Sequence, residues 1–151
     1  MAELPHDLES DPRFPSGPWT GFWIQPTIPG RHMMELRLHF HDGQIIGTGR
    51  DRVGEFTFNG NYNLADGTCR WNKHYIGRHN VDYKGYNEGK GIWGVWQMAP
   101  ELAPTANRGG FHIWPEGMAD PTMPTLSEAA EGPAEVEELV TVGGKASAKR
   151  R

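Results

Sequence analysis

The stretch Ile45–Asn63, IIGTGRDRVGEFTFNGNYN, is built from β-forming residues, yet it returns to glycine at Gly47, Gly49, Gly54 and Gly60. Glycine inside a strand gives up side-chain packing and backbone entropy, so its repeated use needs a reason. Gly47 and Gly49 are two apart and share one strand face, with Ile46 and Thr48 on the other. Bare positions on one face let a strand coil sharply and let a neighbouring layer come close, as small barrels require. Gly60, Gly85 and Gly94 recur in the same manner further along. No helical pattern follows the glycines, so they do not form a phosphate-cradling loop, which depends on a helix N-terminus.

Outward from this stretch, about eight short apolar-rich runs lie between Trp19 and Pro115, parted by Gly, Asn and Asp clusters. They are WTGFWIQP, MELRLHF, QIIGTGRD, EFTFNGNYN, CRWNKHY, HNVDYKGYN, GIWGVWQM and GGFHIWP. Asp42–Gly43, Asp66–Gly67 and Asn87–Gly91 carry the chemistry of hairpin turns. The region shows no helical period. Regularly spaced strands joined by hairpins predict an all-β fold, an antiparallel up-and-down meander closed into a small barrel of about eight strands.

The composition divides the chain in three. Residues 1–16 read as a disordered acidic, proline-rich arm, residues 17–117 as the barrel domain, and residues 118–151 as a disordered acidic tail with a basic tip. Within the tail, PAEVEELV has the pattern of two helical turns starting at Pro133. The net charge of −4 comes from the two flanks, and the body is near neutral. Without a basic face, nucleic acid is not an expected partner. No apolar run approaches the roughly 20 residues of a membrane-spanning helix, and the acidic start lacks a secretory pattern, so no membrane partner is expected. One cysteine, Cys69, cannot form an internal disulfide, and the expected compartment is the cytoplasm.

The aromatic opening GPWTGFW, followed by a pure β-meander, resembles the small eight-stranded barrels of the avidin and calycin type. Gly21, Phe22 and Trp23 fit the Gly-x-Trp signature with which many calycins begin. The runs GTGRDRVGEFTFNGNY, WNKHYIGRHNVDYKG and GIWGVW are also similar to a recurring, uncharacterised domain family. The resemblance covers residues 17–116. An avidin-like barrel implies a small molecule held against tryptophans and hydroxyl side chains. The Ser and Thr cluster that would grip a ureido ring is largely absent here, which argues against biotin.

The hairpin CRWNKHYIGRHNVDYKG decides which side chains point inward. A three-residue loop, Ile76 to Arg78, pairs Lys73 with Val81 and Trp71 with Tyr83, and so keeps the apolar groups on one face. Lys73, Tyr75, His79 and Tyr83 then lie inside the barrel or at its rim. With Trp23, Trp71 and Trp96 they form the expected ligand-binding set. The aromatics supply flat apolar area, while Lys73, Tyr75 and His79 orient the polar end of a small organic molecule. A lysine beside a histidine suits an anionic or carbonyl-bearing group.

The expected function is a non-enzymatic binding module with no catalytic residues and no cofactor. One alternative is a barrel enzyme using Lys73, Tyr75 and His79 in acid–base chemistry. Another is a protein-interaction domain without a cavity. No nucleophile elbow, paired carboxylates or cofactor fingerprint occurs. Glu35, Arg37, His39 and His41 share a strand face that reads as a polar outer wall rather than a metal site. In GIWGVWQM and GGFHIWP, Ile92, Trp96 and Met98 oppose Trp93 and Val95, and Phe111 and Ile113 oppose Trp114. Apolar groups on both faces exceed what one barrel interior needs, which suggests a homo-oligomer.

Overall fold

The computed structural model describes residues 8–103 and 106–123. Eight strands follow in chain order: β1 (Gly17–Gln25), β2 (Ile28–His41), β3 (Gln44–Arg50), β4 (Glu55–Tyr62), β5 (Thr68–Tyr75), β6 (Asn80–Asn87), β7 (Ile92–Gln97) and β8 (Arg108–Pro115). Each pairs antiparallel with the next, and β8 returns to β1 to close the barrel. Among the described residues there is no α-helix, and hence none long and apolar enough to cross a membrane.

Period-two alternation sets the interior. Along β5, Cys69, Trp71, Lys73 and Tyr75 are buried while Arg70 and His74 face solvent. The opposing residues of β6 are in the expected register, with Lys73 opposite Val81 and Trp71 opposite Tyr83. The Tyr75 amide donates to the His79 carbonyl across the turn, at 3.0 Å. Trp71 stacks on Tyr83 with centroids 5.4 Å apart and on Phe58 at 4.9 Å, and Phe111 meets Tyr83 edge-on at 4.8 Å. Each such pair adds about 0.5–1.5 kcal/mol beyond its buried area.

The glycines of β3 and β4 are explained by close packing. A Cβ at Gly49 would sit 2.7 Å from the Phe56 ring, and one at Gly60 would sit 2.0 Å from the Arg70 carbonyl oxygen. Large interior side chains fill the space that the glycines leave free.

The up-and-down topology puts the turns alternately at two ends. One end carries the turns between β2 and β3, β4 and β5, and β6 and β7. It is closed by residues 8–16, which pack on the barrel in place of the expected solvated arm. Phe14 is fully buried, with ring centroids 4.8 Å from Tyr62 and 5.4 Å from Phe40. The Tyr62 hydroxyl donates to Glu9 at 2.6 Å, and Asn87 Nδ2 donates to the Arg13 carbonyl at 2.6 Å. Composition pointed to disorder because only Leu8 and Phe14 in this segment are large and apolar. One deeply placed phenylalanine and a few hydrogen bonds suffice to hold it. Residues 1–7 lie outside the described residues.

The described residues up to Ala119 belong to one compact unit. Of the second unit, Asp120–Met123 are described and form a turn in which Asp120 accepts from the Thr122 amide at 2.8 Å. The helical turns expected from Pro133 and the rest of the tail lie outside the described residues.

Candidate functional site

The other end of the barrel carries the turns at 26–27, 51–54 and 76–79 and the long β7–β8 loop. There the interior opens as a cup of about 190 Å³ lined by Trp23, Gln25, Val53, Tyr75, His79, Val81, Tyr83, Trp96 and Met98. Four strands supply its aromatic walls: Trp23 from β1, Tyr75 from β5, Tyr83 from β6 and Trp96 from β7. Trp23 and Trp96 meet edge to face, at 6.1 Å and 83°.

Behind this wall lies a closed polar cluster centred on Asp51, in the β3–β4 loop. Its Oδ2 accepts from Lys73 Nζ at 2.7 Å, from the Tyr75 hydroxyl at 2.7 Å and from Trp23 Nε1 at 3.1 Å. Its Oδ1 accepts from the Val53 amide at 2.9 Å, which folds the loop back over the mouth. Lys73 and Asp51 have side-chain exposures of 1% and 0%. Lys73 also donates to the Tyr83 hydroxyl at 3.3 Å and to Met34 Sδ at 3.4 Å. Its ammonium therefore has a partner for each of its three hydrogens.

The electrostatics follow from burial and pairing. Burial lowers Lys73 to about 8 although Asp51 works in the opposite direction. Burial is also the largest influence on Asp51 and pushes it up. The charge and hydrogen bond of Lys73, helped by Tyr75 and the Val53 amide, carry it below the ordinary carboxylate value all the same. At neutral pH the pair is ionised and its net charge is zero. Burial and the hydrogen bond to Asp51 push the Tyr75 hydroxyl far above its usual range, so it stays a neutral donor. Burial, with Arg78 and Lys73, lowers His79, which is neutral at pH 7.

Of the seven residues expected from sequence, Trp23, Tyr75, His79, Tyr83 and Trp96 line the cup. Lys73 and Trp71 point inward as expected, but neither is part of its lining. Lys73 stands behind the wall and holds Asp51. Trp71 lies one layer deeper, with no hydrogen-bond partner found for its Nε1. Sequence reasoning missed Asp51, along with Gln25, Val53 and Met98. A signal for Asp51 was present: an inward lysine needs a buried counter-charge, and Asp51 is one of the few acids in the loops at its end of the barrel.

Among the described residues four hollows are wider than the cup, and the two widest, of about 640 and 730 Å³, lie over the outer wall. They are lined mainly by outward polar side chains such as Asn59, Asn72, Asp82, Thr48 and Arg50, without a buried polar cluster behind them. His39 and His41 take the outer side of β2, and among the described residues no three His, Cys, Asp or Glu side chains gather to hold a metal. Cys69 is buried, and burial raises its thiol to about 12, which makes it inert. Comparison with known protein families, curated proteins and solved structures returns no match for this chain.

Proposed function

We propose that the chain is a non-enzymatic binding module whose barrel mouth holds a small organic molecule. The observation that carries this is a concave cup walled by Trp23, Tyr75, Tyr83 and Trp96, with the polar atoms of the first three engaged by Asp51 and Lys73. Ligand sites are commonly of this kind, apolar hollows with a few placed polar groups. The reading agrees with what the avidin and calycin resemblance implies. It also agrees with cytoplasmic placement, to which the lone buried thiol is suited.

The acid–base alternative requires Lys73 to exchange protons with a substrate. Its hydrogens are directed to Asp51, Tyr83 and Met34, so the arrangement favours binding over turnover.

Native mass spectrometry of the chain purified from its own host tests the reading. The expected result is an added small-molecule mass, lost when Met98→Trp fills the rim of the cup. A bare chain mass, together with no response of the cup residues to a small-molecule fragment set, would reject it.

A further inference from the structure

We propose that the cup selects an uncharged, flat ring system of one ring or two fused rings, and discriminates against charged analogues of the same shape. This rests on the binding-module reading and adds the class of ligand.

Size sets the first limit. An engineered apolar cavity of about 150 Å³ binds benzene. The cup, at about 190 Å³ and open on one side, admits a somewhat larger ring with a substituent toward the rim. The walls favour flatness, because planar aromatic faces give stacking contacts to a planar ligand.

Charge sets the second limit, and the resident lysine decides it. A cup of two tryptophans and two tyrosines would ordinarily suit a cation. Here the tyrosine half of that place is taken. Lys73 Nζ lies 4.6 Å from the Tyr75 ring centroid and 5.5 Å from that of Tyr83, and 4.3 Å from that of Phe56 behind them. A second cation would share the tyrosine rings with the resident ammonium, and the carboxylate that could balance it is already paired with Lys73.

An anion fares no better. The ammonium is closed off by Asp51 at 2.7 Å, and the Trp23 and Tyr75 donors are spent on the same carboxylate. Trp96 Nε1 donates to the Ile24 carbonyl at 3.0 Å. An anion would lose its water and gain at most the Tyr83 hydroxyl as a donor from these walls. Arg78, in the turn beside His79, is exposed, so solvent and salt weaken its pull. At the rim Gln25 Nε2 donates to the Ala106 carbonyl at 3.5 Å, and the Gln25 side-chain oxygen and the His79 ring suit a neutral amide or hydroxyl.

The test titrates the full chain with indole-3-acetamide, indole-3-acetate and tryptamine, which share a ring system and differ in charge. Binding is read at the indole N–H signals of Trp23 and Trp96. The expected result is that the amide binds at least about tenfold more tightly than either charged analogue. If a charged analogue equals or exceeds the amide at these signals, the inferred class is wrong while the cup itself stands. If none of the three moves them at millimolar concentration, the class and the cup reading both fall.

Discussion

Asp51 Oδ2 lies 2.7 Å from Lys73 Nζ, and the two side chains are shut off from solvent together. Removing one partner strands the other as a buried charge, which costs about 3–5 kcal/mol. Asp51→Ala and Lys73→Met are each expected to lose stability on that scale in denaturant unfolding. The double variant Asp51→Asn/Lys73→Met should lose much less than the sum of the singles, since neither charge is then stranded. Additive losses would show that the pair is not energetically coupled.

The pH dependence has two arms. Asp51 is lowered in the folded chain, so its contribution is present above the ordinary aspartate value and is lost as pH falls through the folded one. Glu9, lowered chiefly by the Tyr62 hydroxyl, acts in the same direction. Acid unfolding is therefore expected to begin below about pH 4 and to shift upward in Glu9→Gln. On the alkaline side Lys73 titrates near 8 when folded and at 10.5 when free. Between these values the unfolded chain holds more protons, so Lys73 taken alone makes stability rise with pH. The same deprotonation leaves Asp51 unopposed, and tryptamine binding should strengthen between pH 7 and 9. A flat profile would mean that Lys73 does not titrate there.

The segment before β1 is expected to be structural. Phe14→Ala empties a site between Phe40 and Tyr62 and should cost about 3–5 kcal/mol. Deletion of residues 1–16 should lower the melting temperature clearly. An unchanged melting curve would show that the segment only rests on the barrel.

Gly60→Ala tests the packing argument at one atom. The added Cβ would lie 2.0 Å from the Arg70 carbonyl oxygen and 2.5 Å from Trp71 Cα, so β4 and β5 would have to part. A loss of at least about 1–3 kcal/mol is expected. Gly110→Ala meets nothing nearer than 3.6 Å and serves as the mild control. Equal effects at both positions would refute the account.

Part of the outer apolar surplus is settled within the chain. Phe22 packs on Trp114 at 6.0 Å and under the Arg31 guanidinium at 4.1 Å. Ile24, Trp93 and Val95 remain exposed on neighbouring strands, with Val95 opposite Gly110 and Gly110 opposite Ile24. Self-association through this face is the expected behaviour, and Val95→Lys should weaken it. A monomer mass at high micromolar concentration in sedimentation would count against it.

The barrel was legible because its signals are local. Alternation along β5 and the three-residue turn at Ile76–Arg78 set the register from sequence alone. The inward direction of Tyr75, Tyr83 and Lys73 followed from that register. What Lys73 touches did not follow, because its partner comes from a loop 22 residues earlier in the chain. Asp51 between Arg50 and Arg52 looks like any solvated turn residue. Its burial is a property of barrel closure, which brings that loop over the mouth. Phe14 was missed for a similar reason, since its partners Phe40 and Tyr62 come from β2 and β4.

The closing of β8 onto β1 has a consequence for how the chain assembles. Seven of the eight strand pairings join neighbours in sequence, and the eighth joins Trp19 to Pro115 across nearly the whole domain. Hairpins can form in succession as the chain emerges, each closing only a short loop. The last pairing is the non-local one, and until it forms β1 remains an open edge. The long apolar strand Gly17–Gln25 is thus the segment most exposed to the wrong partner during synthesis. The slow phase of refolding should then be the capture of β8, which substitutions along the β1–β8 seam would retard more than equal changes in any hairpin.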